Sequence, residues 1–392
     1  MKRDILIVND EKEVGGVSTV LENILSQLDY DKYNVDLFIF QNTGDMLCNI
    51  DKRINVIFGG KSFYGIDTSF RSSIKEHHFF RAFKKAIFVI LAKFNLISFF
   101  FKYIRKKKLN KQYDVEVAFK TGYPTLFTGS GNSKKKITWV HGDLMRDNDM
   151  KHYSKTFSKC LNSIDIIVNL SEELKLNFIQ LYGNAEKCIV IHNLLDYEKV
   201  LKKSTEKSNV LFKNNVINLI AVGRLHFNKG YIRLIEALSM VAKKTNKFHL
   251  YIVGDGPERE TLQKKIIAEN LNDYITLLGY SSNPYKYMKN ADLFVCSSLT
   301  EAYPMVFVEA LTLNVPIFTV KIAAADYILC HEKYGYIVDN STEAIYEGLL
   351  DIIETGCVKK IPQYDYVSAN KEIVKKINNL FDEENYEEKN KN

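Results

Sequence analysis

Two carboxylates and two cations stand at spacings suited to holding a phosphorylated ligand. Glu301 and Glu309 lie in the stretch Ser298-Leu-Thr-Glu301-Ala-Tyr303-Pro304-Met305-Val-Phe-Val-Glu309. The apolar run Leu293-Phe-Val-Cys296 ahead of them reads as a buried strand, and Pro304 stands where a helix places its first residue. The helix is expected from Tyr303 or Pro304, which leaves Glu301 in the loop and puts Glu309 roughly 7.5 Å along the axis. The helix start around Tyr303, Pro304 and Met305 offers unpaired backbone N–H groups, none of them from the proline, and a positive dipole end, which attract an anion such as a diphosphate. Upstream, Gly223-Arg224 and Asn228-Lys229-Gly230 join another strand end to a helix start. Arg binds phosphate oxygens through two N–H groups, while Lys supplies a compact charge. The plainer alternative is a set of solvated charges at the surface.

These residues need a scaffold. Apolar runs near 5–8, 35–40, 54–58, 115–119, 137–140, 164–168 and 188–191, alternating with helical patterns, predict a parallel, doubly wound sheet. A second series at 216–222, 249–253, 275–278, 293–296 and 317–320 predicts another. Ligands on such sheets sit beyond the carboxyl ends of the strands. Gly15 and Gly16 follow the first strand and open a helix, where backbone amides approach a ligand closely, although a plain tight turn also suits them. His141 follows another strand, in Trp139-Val-His141-Gly142-Asp143, and a hydrogen-bonded loop histidine is the bland account of it. The polar, aperiodic stretch after Tyr197 marks the boundary. The domains are therefore expected at 1–200, 210–365 and 366–392, the last a helix packing back on the first domain with a frayed tail.

The chain has 392 residues, too many for one ordinary core, and a net charge of +7. The charge is concentrated. Residues 71–112 hold twelve Lys or Arg against the single acid Glu76, so the remainder is net acidic. Within that segment the apolar stretch from Ala86 to Phe101 is interrupted by Lys93 and Asn95 and is short for a bilayer span. Helices rich in Phe, Ile and Leu with basic flanks suit the headgroup plane of an anionic membrane, and a core helix with a solvated basic end is the alternative. No zinc-finger or RNP-type signature accompanies the basicity, which argues against a nucleic-acid partner. The six scattered cysteines form no C-x2-C pair and read as reduced, and Met1 runs directly into a strand without a cleavable leader, so a cytoplasmic setting is expected. Asp29-Tyr-Asp31 and Asp147-Asn-Asp149 fit a D-x-D metal pattern, but neither follows a donor-domain strand, and no metal is expected.

The spacing Glu301 to Glu309, with Pro304 between and Pro316 after, resembles the E-x7-E signature of the retaining glycosyltransferases of family 4. Gly223-Arg224, Lys229-Gly230, the Gly254-Asp-Gly256-Pro257 turn and the Gly15-Gly16 loop extend the resemblance over most of the chain. It implies a GT-B fold, with two Rossmann-like domains facing across a cleft. It also implies that Arg224 and Lys229 bind the donor phosphates, that Gly15 and Gly16 face the diphosphate, and that Glu309 takes the ribose hydroxyls. Glu301 and His141 would approach the transferred sugar. The donor would be a nucleotide diphosphate sugar, expected to be UDP-linked, used as substrate with no cofactor. The acceptor would be a lipid-linked or other glycan of surface polysaccharide synthesis, met at the inner face of the cell membrane. Family members often carry Gly where this chain has Ala302 and Asn314, and Lys321 to Asp326 departs from the family's Gly-Gly and Glu pattern. Rival readings are a GT-B sugar-nucleotide epimerase or hydrolase, and a non-catalytic membrane scaffold.

Overall fold

The computed structural model describes residues 2–10, 16–41, 50–63, 79–94, 96–142, 144, 154–210 and 212–382. Gly15, Asp147-Asn-Asp149, residues 71–78 of the basic segment and the tail after Asp382 lie outside the described residues. The chain divides into two compact units, residues 1–194 with 371–392, and residues 195–370.

The first unit is built on seven strands: β1 (Arg3–Asn9), β2 (Tyr33–Ile39), β3 (Asn55–Phe58), β4 (Val115–Ala118), β5 (Lys135–Val140), β6 (Ile166–Asn169) and β7 (Cys188–Val190). They pair in the order β3-β2-β1-β4-β5-β6-β7, all parallel. Helices cover the faces, so the strands are apolar runs rather than alternating ones, and Ile5 to Val8 are fully buried. One core layer is aromatic. Phe38 stacks on Phe127 at 4.8 Å and Phe40 on Phe63 at 4.3 Å between ring centroids. The helices Phe79–Lys93 and Ile97–Lys108 supply Phe88, Ala92, Ile97, Phe101 and Ile104 to that layer. Arg105 of the second helix turns inward and pairs with the buried Glu116 of β4 at 2.5 Å.

The second unit has six parallel strands, β8 (Ile217–Val222), β9 (Phe248–Val253), β10 (Ile275–Gly279), β11 (Leu293–Cys296), β12 (Ile317–Val320) and β13 (Gly335–Val338), ordered β10-β9-β8-β11-β12-β13. The sequence reading had no strand at β13, whose residues after Gly335 are only half-buried at the sheet edge. In both sheets the strand order reverses between two neighbours, β1 and β4 in the first, β8 and β11 in the second, and crevices for ligands open at such reversals.

Two local differences from the sequence reading have clear causes. The stretch after Tyr197 is not a polar connection at its start: Asp196 caps the helix Tyr197–Ser204 by accepting from the Lys199 N–H at 2.9 Å, and Val200 is buried in the second unit. The helix carrying Glu309 begins at Met305, because Pro304 adopts ψ 98° and serves as its N-cap. The last helix, Tyr366–Asp382, runs from the second unit into the first. There Lys135 donates to the Leu380 carbonyl at 2.8 Å and Tyr33 donates to Asp382 at 2.8 Å.

Candidate nucleotide-binding site

Lys229, Glu301, Tyr303, Pro304, Met305, Glu309 and Arg224 all follow β8 or β11, the two central strands of the second unit at its reversal. Lys229 ends a short 3-10 turn, Phe227–Lys229, after β8. Its ammonium meets Glu301 Oε1 at 2.6 Å, and the Ser298 hydroxyl donates to the same oxygen at 2.8 Å. Burial acts to lower the Lys229 ammonium, but the Glu301 carboxylate more than offsets it and holds the group above its usual range. The Cys296 thiol, raised by burial and so kept protonated, donates to Ser298 Oγ at 3.4 Å. A small recess is lined by Lys229, Tyr231, Cys296, Ser298 and Glu301.

The backbone at this place admits little variation. Gly230 has φ +63°, and a Cβ there would sit 2.2 Å from the Ser297 carbonyl oxygen. Gly254 has φ +152°, and a Cβ would sit 1.9 Å from the Gly223 oxygen, so the ends of β8 and β9 close up only around glycine. Arg233, which sequence reasoning passed over, braces the Glu301 loop from behind. From the helix Tyr231–Ala242 it donates to the Ser297 carbonyl at 2.6 and 2.9 Å and to the Ser298 carbonyl at 3.0 Å. Its signal was present only as one more cation four residues after Lys229.

Glu309 sits in the helix Met305–Thr312 and is 8% exposed. Burial pushes its carboxyl up to about 7, against the opposing pull of a 3.1 Å hydrogen bond from the Tyr285 hydroxyl and the charge of Lys199. Tyr285 was also passed over, although it directly follows the Asn283-Pro284 helix start. Ahead of this helix Tyr303 and Pro304 are buried and Met305 is half-buried. Phe307 N–H is taken by the Pro304 carbonyl at 3.0 Å, while the N–H groups of Met305 and Val306 have no acceptor among the described residues. They are available to an anion. Arg224 is exposed, and its guanidinium has no hydrogen bond or ion pair among the described residues.

Gly16 and His141 belong to the first unit, at the carboxyl ends of β1 and β5. Gly16 opens the helix Gly16–Gln27, with open space where a Cβ would stand. His141 packs its ring 4.8 Å from that of Phe119. Burial, reinforced by the nearby Lys120 charge, pushes the imidazole down to about 3, so it stays neutral. Its Nε2 is shielded from solvent with no partner among the described residues, an orphaned polar group. Of the two D-x-D matches, Asp29-Tyr-Asp31 lies among the described residues and Asp147-Asn-Asp149 does not. Asp29 accepts from the Asp31 N–H at 3.0 Å in the turn before β2, and no group of three or more His, Cys, Asp or Glu side chains among the described residues is placed to hold a metal ion.

Residues 202–372 match the family model of glycosyl transferases group 1. An uncharacterized glycosyltransferase of Methanocaldococcus jannaschii is 30% identical over 197 residues, 48% of this chain and 48% of that protein. The N-acetylgalactosamine-N,N'-diacetylbacillosaminyl-diphospho-undecaprenol 4-alpha-N-acetylgalactosaminyltransferase of Campylobacter jejuni is 28% identical over 177 residues, 45% of this chain and 47% of that one. The alignments thus span about half the length of these curated relatives. Among solved structures, Anabaena HepE in complex with UDP superposes with a TM-score of 0.71 at 18% identity, covering 97% of this chain and 100% of HepE. The second unit therefore carries the match to glycosyl transferases group 1, on a chain whose two parallel α/β sheets have the GT-B fold.

Proposed function

We propose that the protein is a retaining, metal-independent glycosyltransferase that moves a hexose from a nucleotide diphosphate sugar, UDP-linked in our reading, to a lipid-linked or other membrane-associated glycan in polysaccharide synthesis. The observation that carries this is the gathering of Lys229, Glu301 and Glu309 beyond β8 and β11, with two free helix-start N–H groups beside them. Lys229 and Arg224 neutralise the diphosphate together with the N–H groups of Met305 and Val306. Glu309 accepts from the ribose hydroxyls, and Tyr285 orients its carboxylate. Glu301, held by Lys229 and Ser298, contacts hydroxyls of the transferred sugar.

As the bond from the anomeric carbon to the diphosphate breaks, charge grows on the departing phosphate, where Lys229 and Arg224 stabilise it. That phosphate accepts the proton of the acceptor hydroxyl on the same face of the sugar, so configuration is kept. Neutral His141 offers its ring N–H or lone pair to the sugar. Gly16, at the start of its helix, supplies a backbone amide toward the diphosphate in this reading. The relative from Campylobacter jejuni, whose name gives an alpha linkage and a diphospho-undecaprenol acceptor, supports a lipid-linked acceptor, which in our reading is met at the anionic inner face of the membrane.

The test is incubation of purified protein with a panel of nucleotide sugars, reading nucleoside diphosphate release with and without a glycan acceptor. Release that needs the acceptor and survives a chelator is expected. Abolition by chelator with rescue by a divalent ion, or full activity in Arg224→Ala, refutes the site assignment. Release of free sugar without acceptor would favour a hydrolase. Glu309→Ala should weaken nucleoside diphosphate binding, whereas Glu301→Ala should spare it and lower turnover.

A further inference from the structure

The helices Phe79–Lys93 and Ile97–Lys108 each have two apolar faces, and only one is used by the core. The inner face, with Phe88, Ala92, Ile97 and Phe101, is buried in the aromatic layer. On the outer face Phe83, Ile87, Ile90 and Phe94 recur at spacings of four, three and four, and stand exposed, Phe83 at 64% and Phe94 at 65%. Leu96 in the turn and Phe99 and Tyr103 beyond it continue the patch, Phe99 at 70%. These seven are nearly half of the fifteen large hydrophobic side chains exposed among the described residues, so the apolar surface is concentrated rather than scattered.

We propose that this outer face is a docking surface for an anionic lipid bilayer, inserted at the bend between the two helices. The proposal rests on the membrane-facing part of the function proposed above and not on the transfer chemistry. Charge selects the occupant. The exposed cations Lys93, Lys102, Lys106, Lys107 and Lys108 border the patch, and the run from Phe79 to Lys108 contains no acid. Two copies of this face brought together would oppose like charges, whereas an anionic headgroup layer is attracted by each Lys. Arg105 takes no part, being committed to Glu116.

The surface docks without spanning. No single helix among the described residues is long and apolar enough to cross a membrane, and the two helices meet at 113°. Their inner faces are bound into the core, so a transmembrane arrangement would strip Phe88 and Phe101 from Phe63 and Tyr123. An in-plane seat, with side chains in the headgroup and acyl boundary, keeps every core contact.

The experiment is co-sedimentation of the full chain with phosphatidylcholine vesicles, with and without phosphatidylglycerol, at low and high salt; neither donor nor acceptor is needed, so its outcome is separate from that of the release assay. Binding that requires phosphatidylglycerol is expected. The triple change Phe83→Ser, Phe94→Ser, Phe99→Ser should lower partitioning roughly tenfold or more at both salt levels. The triple change Lys102→Gln, Lys106→Gln, Lys107→Gln should remove mainly the salt-sensitive part. Thermal unfolding of each variant checks its fold. In a separate variant, Phe94→Trp, the new indole is read against the single buried Trp139, and its emission should shift to the blue on vesicles. The proposal is overturned if the parent does not sediment, or if the emission of Phe94→Trp stays unshifted. It is equally overturned if the phenylalanine-to-serine variant binds vesicles as the parent does, whether or not its oligomeric mass changes.

Discussion

Replacing Glu309 by Gln tests the electrostatics of the candidate nucleotide site without a ligand. The carboxyl is 8% exposed, and burial displaces it from the usual 4.5 to about 7. Between these values the folded protein holds more protons than the unfolded chain, so stability falls as pH rises through the window. The contribution is fully present below the unfolded value and lost once pH passes about 7. At ~1.4 kcal/mol for each pKa unit, the buried charge costs on the order of 3 kcal/mol above that point. Glutamine keeps an acceptor for the Tyr285 hydroxyl and carries no charge, so Glu309→Gln should match the parent near pH 4 and exceed its stability by up to about 3 kcal/mol near pH 8. Urea unfolding at the two pH values measures this. The same variant should bind nucleoside diphosphate more weakly, and calorimetry of the parent in two buffers of different ionisation enthalpy should show proton release on binding below pH 7. A variant that is less stable than the parent at the higher pH, or a difference that does not change with pH, would refute the reasoning.

Three further changes probe the surrounding scaffold. Lys229→Ala removes the charge-assisted phosphate contact proposed for it and leaves Glu301 without its cation, so donor affinity should fall by roughly tenfold or more in calorimetry. Arg233→Ala should lower turnover with little effect on nucleoside diphosphate affinity, because it frees the Ser297 and Ser298 carbonyls that shape the Glu301 loop; Arg233→Lys should restore part of the rate, and equal turnover in all three proteins would exclude a positioning role. Ala324 has φ +62° at the N-cap of the helix Ala325–Leu329, a conformation that costs a side chain ~1 kcal/mol, so Ala324→Gly should raise the unfolding midpoint, and a lowered midpoint would count against strain there.

The strands were legible because both sheets are parallel and covered on both faces, which forces uninterrupted apolar runs such as Leu293 to Cys296. β13 escaped because an edge strand half-open to solvent needs no such run, and its pattern Gly-Tyr-Ile-Val is short. In the candidate site, the residues that sequence reading could single out are those marked by local chemistry: a proline beside carboxylates, a glycine beside a lysine. Arg233 and Tyr285 were not, since their partners are a carbonyl 64 residues away and a carboxylate 24 residues away, and no local spacing encodes either. The departures from the glycines of the family that the sequence resembles became intelligible only with backbone angles. Asn314, at φ +59°, still occupies the left-handed conformation, which asparagine tolerates best after glycine. Ala324 holds the same conformation without that tolerance.

The chain crosses between its two units twice, and the crossings are tied together: the Asn370 side chain accepts from the Leu195 N–H at 3.4 Å and donates to the Leu195 carbonyl at 2.5 Å. The second unit is thus an insertion with adjoining ends, and this sets an order of assembly during synthesis. All of residues 195–370 emerge before the piece that completes the first unit, whose closing contacts, such as Arg3 to the Phe381 carbonyl, join residues 378 apart. The inserted unit can fold on its own contiguous sequence, whereas the unit made first is finished last. A stop codon near residue 370 would therefore damage the amino-terminal sheet, far from it in sequence, and spare the neighbouring one.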